Sequence, residues 1–404
     1  MTTSRIDLAA VTAATAGLEG IAARTPIERA RVLSELLGTE VWLKCENLQR
    51  AGSFKIRGAY TRLSRLSAEE RERGVVAASA GNHAQGVALA ARELGIAATV
   101  FMPTDAALPK LAATRDYGAK VILGGASLDE AIVDAHEFAE RTGATFIHPF
   151  DHVDIVAGQG SLALEILEQV PDVRTIVVPI GGGGLAAGMV AALAEAAPHV
   201  KVVGVQAEKV AAYPGSLESG RPVAVPVRAT MADGIAVGCP GQVPFDILAA
   251  ARTPVVTVTE EDLSRALLLV IERAKMLVEP SGAAGVAAVM QNPESFEGPV
   301  VVVLSGGNVD PLVLLRVLRH GMTAAGRYLA LHVRISDRPG GLAALLSDVA
   351  EAGGNVMHVS HVRTGAHLAI DEVEVDIQIE TKGPEHCAEL VELLGSAGYV
   401  VRAD

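Results

Sequence analysis

Aromatic residues are scarce in this chain of 404 residues: one Trp, five Tyr and seven Phe make up 3% of it. Nucleic acids are held by basic clusters, often interleaved with aromatics. Here the net charge is −13 and no Lys/Arg cluster occurs, so nucleic acid is not an expected partner. Cysteines are few and dispersed. Cys45, Cys239 and Cys387 are odd in number and outside any metal-ligand spacing, which excludes a disulfide framework and a Cys-based metal site and favours a reducing compartment. No run of about 18 apolar residues is present to span a bilayer. The start, MTTSRIDLAAVTAA, lacks a basic stretch followed by an apolar one, so no signal peptide is expected. The expectation is a cytoplasmic protein with no membrane contact.

What remains is rich in small aliphatic side chains, and half of all residues are hydrophobic. Ala, Val, Leu and Gly suit helices packed tightly on sheets. From 41 to about 321, short β-branched runs alternate with helical stretches. The strands expected are VWLKC (41–45), VVAAS (75–79), ATVFM (98–102), KVILG (120–124), TFIHP (145–149), TIVVPI (175–180), KVVGVQ (201–206) and PVVVVLS (299–305). Helices expected between them include 84–94, 128–142 and 260–277. The alternation predicts an α/β fold with mostly parallel sheets, and eight strands predict two sheet domains with a cleft between them. The smaller is expected at roughly 52–155, inserted in the larger, within a region 1–321. After a linker at 322–327 the rhythm changes. Residues 328–404 read βαββαβ, with strands at 328–335, 355–362, 372–380 and 399–402, helices at 341–352 and 385–395, and the turn TGAHLAID (364–371) between the middle strands. That order is ferredoxin-like.

Four strand ends carry small or polar groups. Ser53-Phe54-Lys55-Ile56-Arg57-Gly58 opens a helix, where the dipole would lower the pKa of Lys55 and leave an amine able to form a Schiff base. Alternatively Lys55 is a solvated surface group. Gly181-Gly182-Gly183-Gly184-Leu185 lies between an apolar strand and an Ala-rich helix, so its backbone N–H groups can converge on a phosphate. The alternatives are a plain tight turn, or a dinucleotide loop, since Gly182-x-Gly184-x-x-Ala187 also fits that fingerprint with Glu208 near the next strand. Ser79-Ala80-Gly81-Asn82-His83 can receive a carboxylate, with Asn82 as helix cap and His83 as base among the alternatives. Ser305-Gly306-Gly307-Asn308 ends the last core strand and offers a hydroxyl to a ligand or to local backbone. The other histidines show no metal spacing.

In this combination the chain resembles the fold-type-II enzymes that use pyridoxal 5′-phosphate (PLP), and within them the threonine dehydratases (threonine ammonia-lyases). The likeness runs through TPIERA, KCENLQRAGSFKIRGAY, ASAGNHAQGVA, PIGGGGLAAG, ADGIAVG, EPSGAAGVAAV and LSGGN. Residues 328–404 resemble an ACT domain, a module that binds amino acids between paired copies. The resemblance implies a tryptophan-synthase-β-like two-domain fold, a homo-oligomer (dimer or tetramer) and a small amino acid as substrate. It implies that Lys55 bonds PLP covalently and later acts as the base. Phe54 and Gly234 lie against the two ring faces, Asn82 bonds the ring 3′-oxygen, Gly181 to Leu185 hold the phosphate, and Ser305 bonds the ring nitrogen. Ser79 to His83 take the substrate carboxylate. A hydroxyl at Ser305, rather than a carboxylate, leaves the ring nitrogen unprotonated and favours elimination over transamination. Racemases of this fold place a serine where this chain has Ala80, and their divalent-metal carboxylates are missing near Gln206–Ala212, so racemisation is expected to be minor and no such metal site is expected, with a monovalent cation left open. Asp337, Gly340, Gly341 and Asn355 are the expected effector residues, for isoleucine or valine. The two turns that carry them are expected at the same end of the sheet.

Overall fold

A computed structural model describes residues 6–363 and 368–403. The chain divides into two compact units, Met1–Leu314 and Leu315–Asp404.

Among the described residues, the first unit contains two sheets. Strands are β1 (Ile27–Arg29), β2 (Val41–Lys44), β3 (Val75–Ala78), β4 (Ala98–Met102), β5 (Lys120–Leu123), β6 (Thr145–Phe146), β7 (Thr175–Pro179), β8 (Lys201–Ala207), β9 (Val255–Val258) and β10 (Val300–Val303). The larger sheet has the order β1-β2-β10-β7-β8-β9 and the smaller β5-β4-β3-β6. Every pairing is parallel except β1 with β2. All eight expected strands form, and β3 to β6 lie in the chain between β2 and β7. Central strands such as β7 and β10 are buried on both faces, as continuous apolar runs in a parallel sheet must be.

Two edge strands escaped the sequence reading. β1 has three residues, two of them exposed and charged, so it shows no apolar period. β9 is the four-residue VVTV beside Pro254, short enough to read as a loop. The helix expected over 260–277 stops early. It is α-helical over Glu260–Leu269, widens to a π turn over Val270–Ala274, and ends where Lys275 adopts φ +59°. No Pro or Gly marks that end.

The second unit has strands β11 (Tyr328–Ser336), β12 (Asn355–Val362), β13 (Glu372–Glu380) and β14 (Val400–Ala403), with helices Gly341–Glu351 and Pro384–Ser396. Its antiparallel sheet runs β12-β13-β11-β14, the βαββαβ arrangement expected. Val373, Val375, Ile377 and Ile379 alternate into its core. The expected turn at 364–371 falls partly outside the described residues. The expected linker at 322–327 is different: a helix spans Pro311–Ala324, and the division between units falls inside it. Its run LVLLRVL is helix-forming, and Gly326 comes only after the last turn.

Candidate active site

The loop before Lys55 is tied to the end of β10. Ser53 and Gly306 form an isolated antiparallel bridge, and the Phe54 amide donates to the Ser305 carbonyl at 3.2 Å. Lys55 is the first residue of the helix Lys55–Ser64, and its Nζ donates to the Pro149 carbonyl at 3.0 Å. Removal from water pushes its pKa down to about 8, opposed only by the negative field of Glu279. Burial, rather than the helix dipole invoked from the sequence, is the leading cause.

Two residues on, Arg57 anchors this helix. Its guanidinium donates to both carboxylate oxygens of Glu46 at 2.8 and 2.9 Å, and to Glu165 at 2.6 Å. Arg57 and Glu46 are almost fully buried. Lys44 closes the group, donating to Glu165 at 2.8 Å and to the Thr25 carbonyl. A buried pair so fully bonded fixes the register of the helix that presents Lys55.

Gly183 takes φ +100° and caps the helix Gly184–Ala196. A Cβ there would lie 1.9 Å from the Tyr213 hydroxyl, so the turn between β7 and this helix can only be drawn with glycine. Tyr213 in turn donates to the Gly182 carbonyl at 3.1 Å, holding the turn from below with its amides free to face an anion.

The structure brings every expected catalytic, cofactor and substrate residue to one cavity of about 740 Å³: Phe54, Lys55, Ser79 to His83, Gly181 to Leu185, Gly234 and Ser305 all line it. Glu208, needed by the dinucleotide alternative, does not line it. Asn82 does not cap its helix; Gly81 holds the cap position without a side-chain bond. Instead the Asn82 amide donates to Glu279 at 2.6 Å. His83 turns its Nε2 to the Ile147 carbonyl at 2.8 Å. Burial and the Lys55 charge push its pKa to about 3, so it is a neutral, committed ring and a poor base.

Several lining residues were missed from the sequence. Glu279 is buried, and burial with the nearby Asp233 raises its pKa to about 7 against Lys110, Asn82 and Lys55. Lys110 and Asp233, both in the lining, pair at 2.7 Å. Ser281 Oγ and Gln159 Oε1 are buried in the lining without a hydrogen-bond partner. The available signal for Glu279 was its place at the head of the motif EPSGAAGVAAV.

A second cavity, of about 540 Å³, lies in the second unit and is lined by Asp337, Arg338, Gly340, His361 and Arg363 among others. Asn355 is not beside it. β11 runs from Tyr328, opposite Glu380, to Ser336, opposite Glu372, whereas Asn355 pairs with Glu380. The helix Gly341–Glu351 carries the chain back to the end where β11 began, so the two turns lie at opposite ends of the sheet. The same-end expectation is therefore corrected, and with it the grouping of Asn355 with Asp337 and Gly340. In the same unit His332, Glu374 and Asp376 place three potential metal-ligand atoms within 4.8 Å of one another.

Comparison with known proteins matches residues 18–306 to a family model described as pyridoxal-phosphate dependent enzyme. Over 385 residues the chain is 46% identical to an L-threonine ammonia-lyase from Thermotoga maritima, covering 95% of this chain and 96% of that protein. Among solved structures, the processed form of threonine deaminase isoform 2 from Solanum lycopersicum is 36% identical with a TM-score of 0.74, over 78% of this chain and 93% of that one. Maize serine racemase is 32% identical with a TM-score of 0.74, over 77% of this chain and 96% of its own.

Proposed function

Because the chain belongs to the family of pyridoxal-phosphate dependent enzymes, we propose that the large cavity dehydrates and deaminates L-threonine to 2-oxobutanoate and ammonia, and L-serine to pyruvate. The observation that carries this reading is Lys55, a buried amine with a pKa near 8, in the same cavity as the Gly181–Leu185 turn.

The cavity fits the cofactor on three counts. It has an amine able to bond a carbonyl carbon, a turn of amides whose geometry excludes a Cβ at Gly183, and a buried hydroxyl at Ser281 with no protein partner. Lys55 would hold the cofactor covalently, Gly181 to Leu185 its phosphate, Asn82 and Ser305 the ring's polar atoms, and Phe54 and Gly234 its faces. When bound, pyridoxal phosphate supplies the electron-withdrawing ring that makes the substrate's α-proton acidic.

The chain's own groups do the rest. Ser79 to His83, at the start of the helix Asn82–Leu94, receive the substrate carboxylate. Lys55 Nζ, neutral for part of the time at physiological pH, takes the α-proton. Loss of the β-hydroxyl leaves an enamine, which tautomerises and hydrolyses to the 2-oxo acid and ammonia. Ala80 faces the cavity with no atom able to carry a proton, so the α-carbon is not reprotonated from a second side and racemisation stays minor. Product assays with threonine and serine test the reading: neither 2-oxobutanoate nor pyruvate would end it.

The second unit is read as an ACT-type regulatory module. The 540 Å³ cavity beside Asp337 and Gly340 supports this, since the helix that starts at Gly341 points its amides toward the loop. A branched-chain amino acid binding there would alter threonine affinity. Reciprocal coupling of roughly 1–3 kcal/mol is typical of such sites.

A further inference from the structure

The Asn82 side chain sits in a chain of hydrogen bonds with a definite direction. Asn308 Nδ2 donates to the Ala51 carbonyl at 2.7 Å and to Asn82 Oδ1 at 2.8 Å. Asn82 Nδ2 then donates to Glu279 Oε1 at 2.6 Å. A carboxamide can ordinarily be turned over at little cost. Here the reversed form would set the Asn82 oxygen against the Glu279 carboxylate and its NH₂ against that of Asn308. Ala51 holds Asn308 in turn, because a carbonyl accepts and cannot donate. Both ends of the chain are thus anchored, and one N–H of Asn82 Nδ2 is left unspent at the cavity wall.

The surroundings are shaped around this chain. Glu279 is buried and binds the β10 end through its own amide, which donates to the Gly306 carbonyl at 3.0 Å. A Cβ on Gly306 would lie 2.4 Å from Glu279 Oε1 and 3.1 Å from Asn82 Nδ2, so a side chain at that position would break the contact. Three separate segments converge here: the helix Asn82–Leu94 from beside the smaller sheet, the start of the helix Pro280–Gln291, and the loop after β10.

Resting on the reading that Asn82 faces the ring oxygen of the cofactor, we propose that Glu279 and Asn308 are positioning residues that fix the direction of the Asn82 carboxamide and so present its remaining N–H to that oxygen. Neither side chain needs to touch the reacting atoms. The direction is enforced while Glu279 is ionised. A protonated Glu279 can donate as well as accept, so its end of the chain no longer sets the direction, which then rests on Asn308 alone. The groups that set its charge are Asp233 from the turn Asp233–Ile235, which favours protonation, and Lys110, Lys55 and Asn82 from three helices, which oppose it. With Lys55 free, burial first and Asp233 besides push the Glu279 carboxyl up to about 7.

The test uses the full chain, loaded with pyridoxal phosphate. The wild-type protein should show a visible band from the lysine-bound cofactor with a pH transition set by Glu279. Glu279→Gln, which keeps the shape and the acceptor oxygen, should flatten that transition. Asn308→Ala and Glu279→Gln should each weaken cofactor affinity by about tenfold in equilibrium dialysis, the order expected for losing control of one hydrogen bond to a polar group. In a background of Asn82→Ala neither should weaken it further, because both act through Asn82. A merely structural role predicts the opposite, with effects that add to those of Asn82→Ala. An unchanged transition in Glu279→Gln, or additivity in the Asn82→Ala background, overturns the proposal. If Asn308→Ala fails to fold, the Glu279→Gln titration and cycle decide alone. If the wild-type protein gives no lysine-bound band at all, the underlying PLP reading falls first and takes this one with it.

Discussion

Gly183→Ala probes the phosphate-binding role of the turn directly. The backbone there is left-handed at φ +100°, and the new methyl would meet the Tyr213 hydroxyl at 1.9 Å and Pro244 Cβ at 2.9 Å. A left-handed conformation costs an L-residue about 1–2 kcal/mol, and overpacking a buried site adds roughly 1–3 kcal/mol. Tyr213 is fully buried and cannot swing away, so the turn must move, and its amides with it. The strain divides between the fold and the bound state. If a third of it falls on binding, cofactor affinity drops by about three- to fifteen-fold, since 1.4 kcal/mol is a factor of ten. The assay is equilibrium dialysis of apoenzyme against pyridoxal phosphate, with thermal melts of the apo form alongside. Gly215→Ala is the control: it lies in the helix Ala212–Ser219 with nothing within 4 Å of a Cβ, and should be neutral or stabilise by about 0.5–1 kcal/mol. Wild-type cofactor affinity in Gly183→Ala would refute the assignment of this turn to the phosphate.

Lys55→Ala should abolish turnover and the visible band with the apo fold intact, and borohydride reduction followed by peptide mapping should place the pyridoxyl group on Lys55; a label on Lys110 or Lys275 would contradict the site. Ser305→Asp should protonate the ring nitrogen and divert flux to transamination, read as a pyridoxamine product in single turnovers; unchanged partitioning means that Ser305 does not meet that nitrogen. Glu46→Gln leaves Arg57 with a buried, half-answered charge and should cost about 3–5 kcal/mol in denaturant unfolding. Burial alone would raise the Glu46 pKa, yet Arg57, Thr25 and Lys44 together hold it below the usual carboxylate range. A lowered folded pKa gives stability that is present above the unfolded value of roughly 4.3 and lost as pH falls through the folded one; acid unfolding of Glu46→Gln should lack that component. A chain ending at Gly326 should keep cofactor and activity but lose any response to isoleucine or valine; an intact response places the effector site outside the second unit.

The parallel core was legible because buried central strands are plain runs of Val and Ile, and loops at their C-terminal ends carry glycine or small polar residues that nothing else explains. The second unit was legible for the opposite reason: alternation such as EVEVDIQIE permits one face inward. Short edge strands left no such signature, as β1 shows. The π turn at Val270–Ala274 was invisible because a helix can gain a residue per turn without any change in composition. Placing Asn355 beside Asp337 failed on topology rather than on pattern. A βαβ crossover returns the chain to its starting end, and applying that rule to β11 and β12 would have separated the two turns in advance. Glu279 and Asn308 lay inside recognised motifs, but pairing either with Asn82 depends on contacts across more than 190 positions of chain, which local spacing cannot supply.

The titratable groups of the cavity sort themselves by what each can still do with a proton. His83 and His148 carry their usual promise of acid–base work, but burial first and the Lys55 charge besides push them to about 3 and 4. One nitrogen of each ring is also engaged, His83 Nε2 on the Ile147 carbonyl and His148 Nδ1 by the amides of Phe150 and Asp151. A group that is neutral throughout the physiological range takes up a proton only at a cost of several kcal/mol, about 1.4 for each pKa unit. Lys55 and Glu279 are also moved toward neutrality, but to about 8 and about 7, where each still exchanges a proton near physiological pH. Their shifts share one origin, since withdrawal from water disfavours the ammonium and the carboxylate alike. Each also partly restores the other's charge through the field between them. Covalent use of Lys55 removes that counter-field, so loading the lysine must push Glu279 further toward protonation unless the incoming group brings positive charge of its own. The state of Glu279, and through it the hold on Asn82, is therefore coupled to the occupancy of Lys55. Comparing the Glu279 titration in the wild-type apoprotein with that in Lys55→Ala measures the coupling: a higher value in the variant is required, and an identical one would show that the two groups do not sense each other.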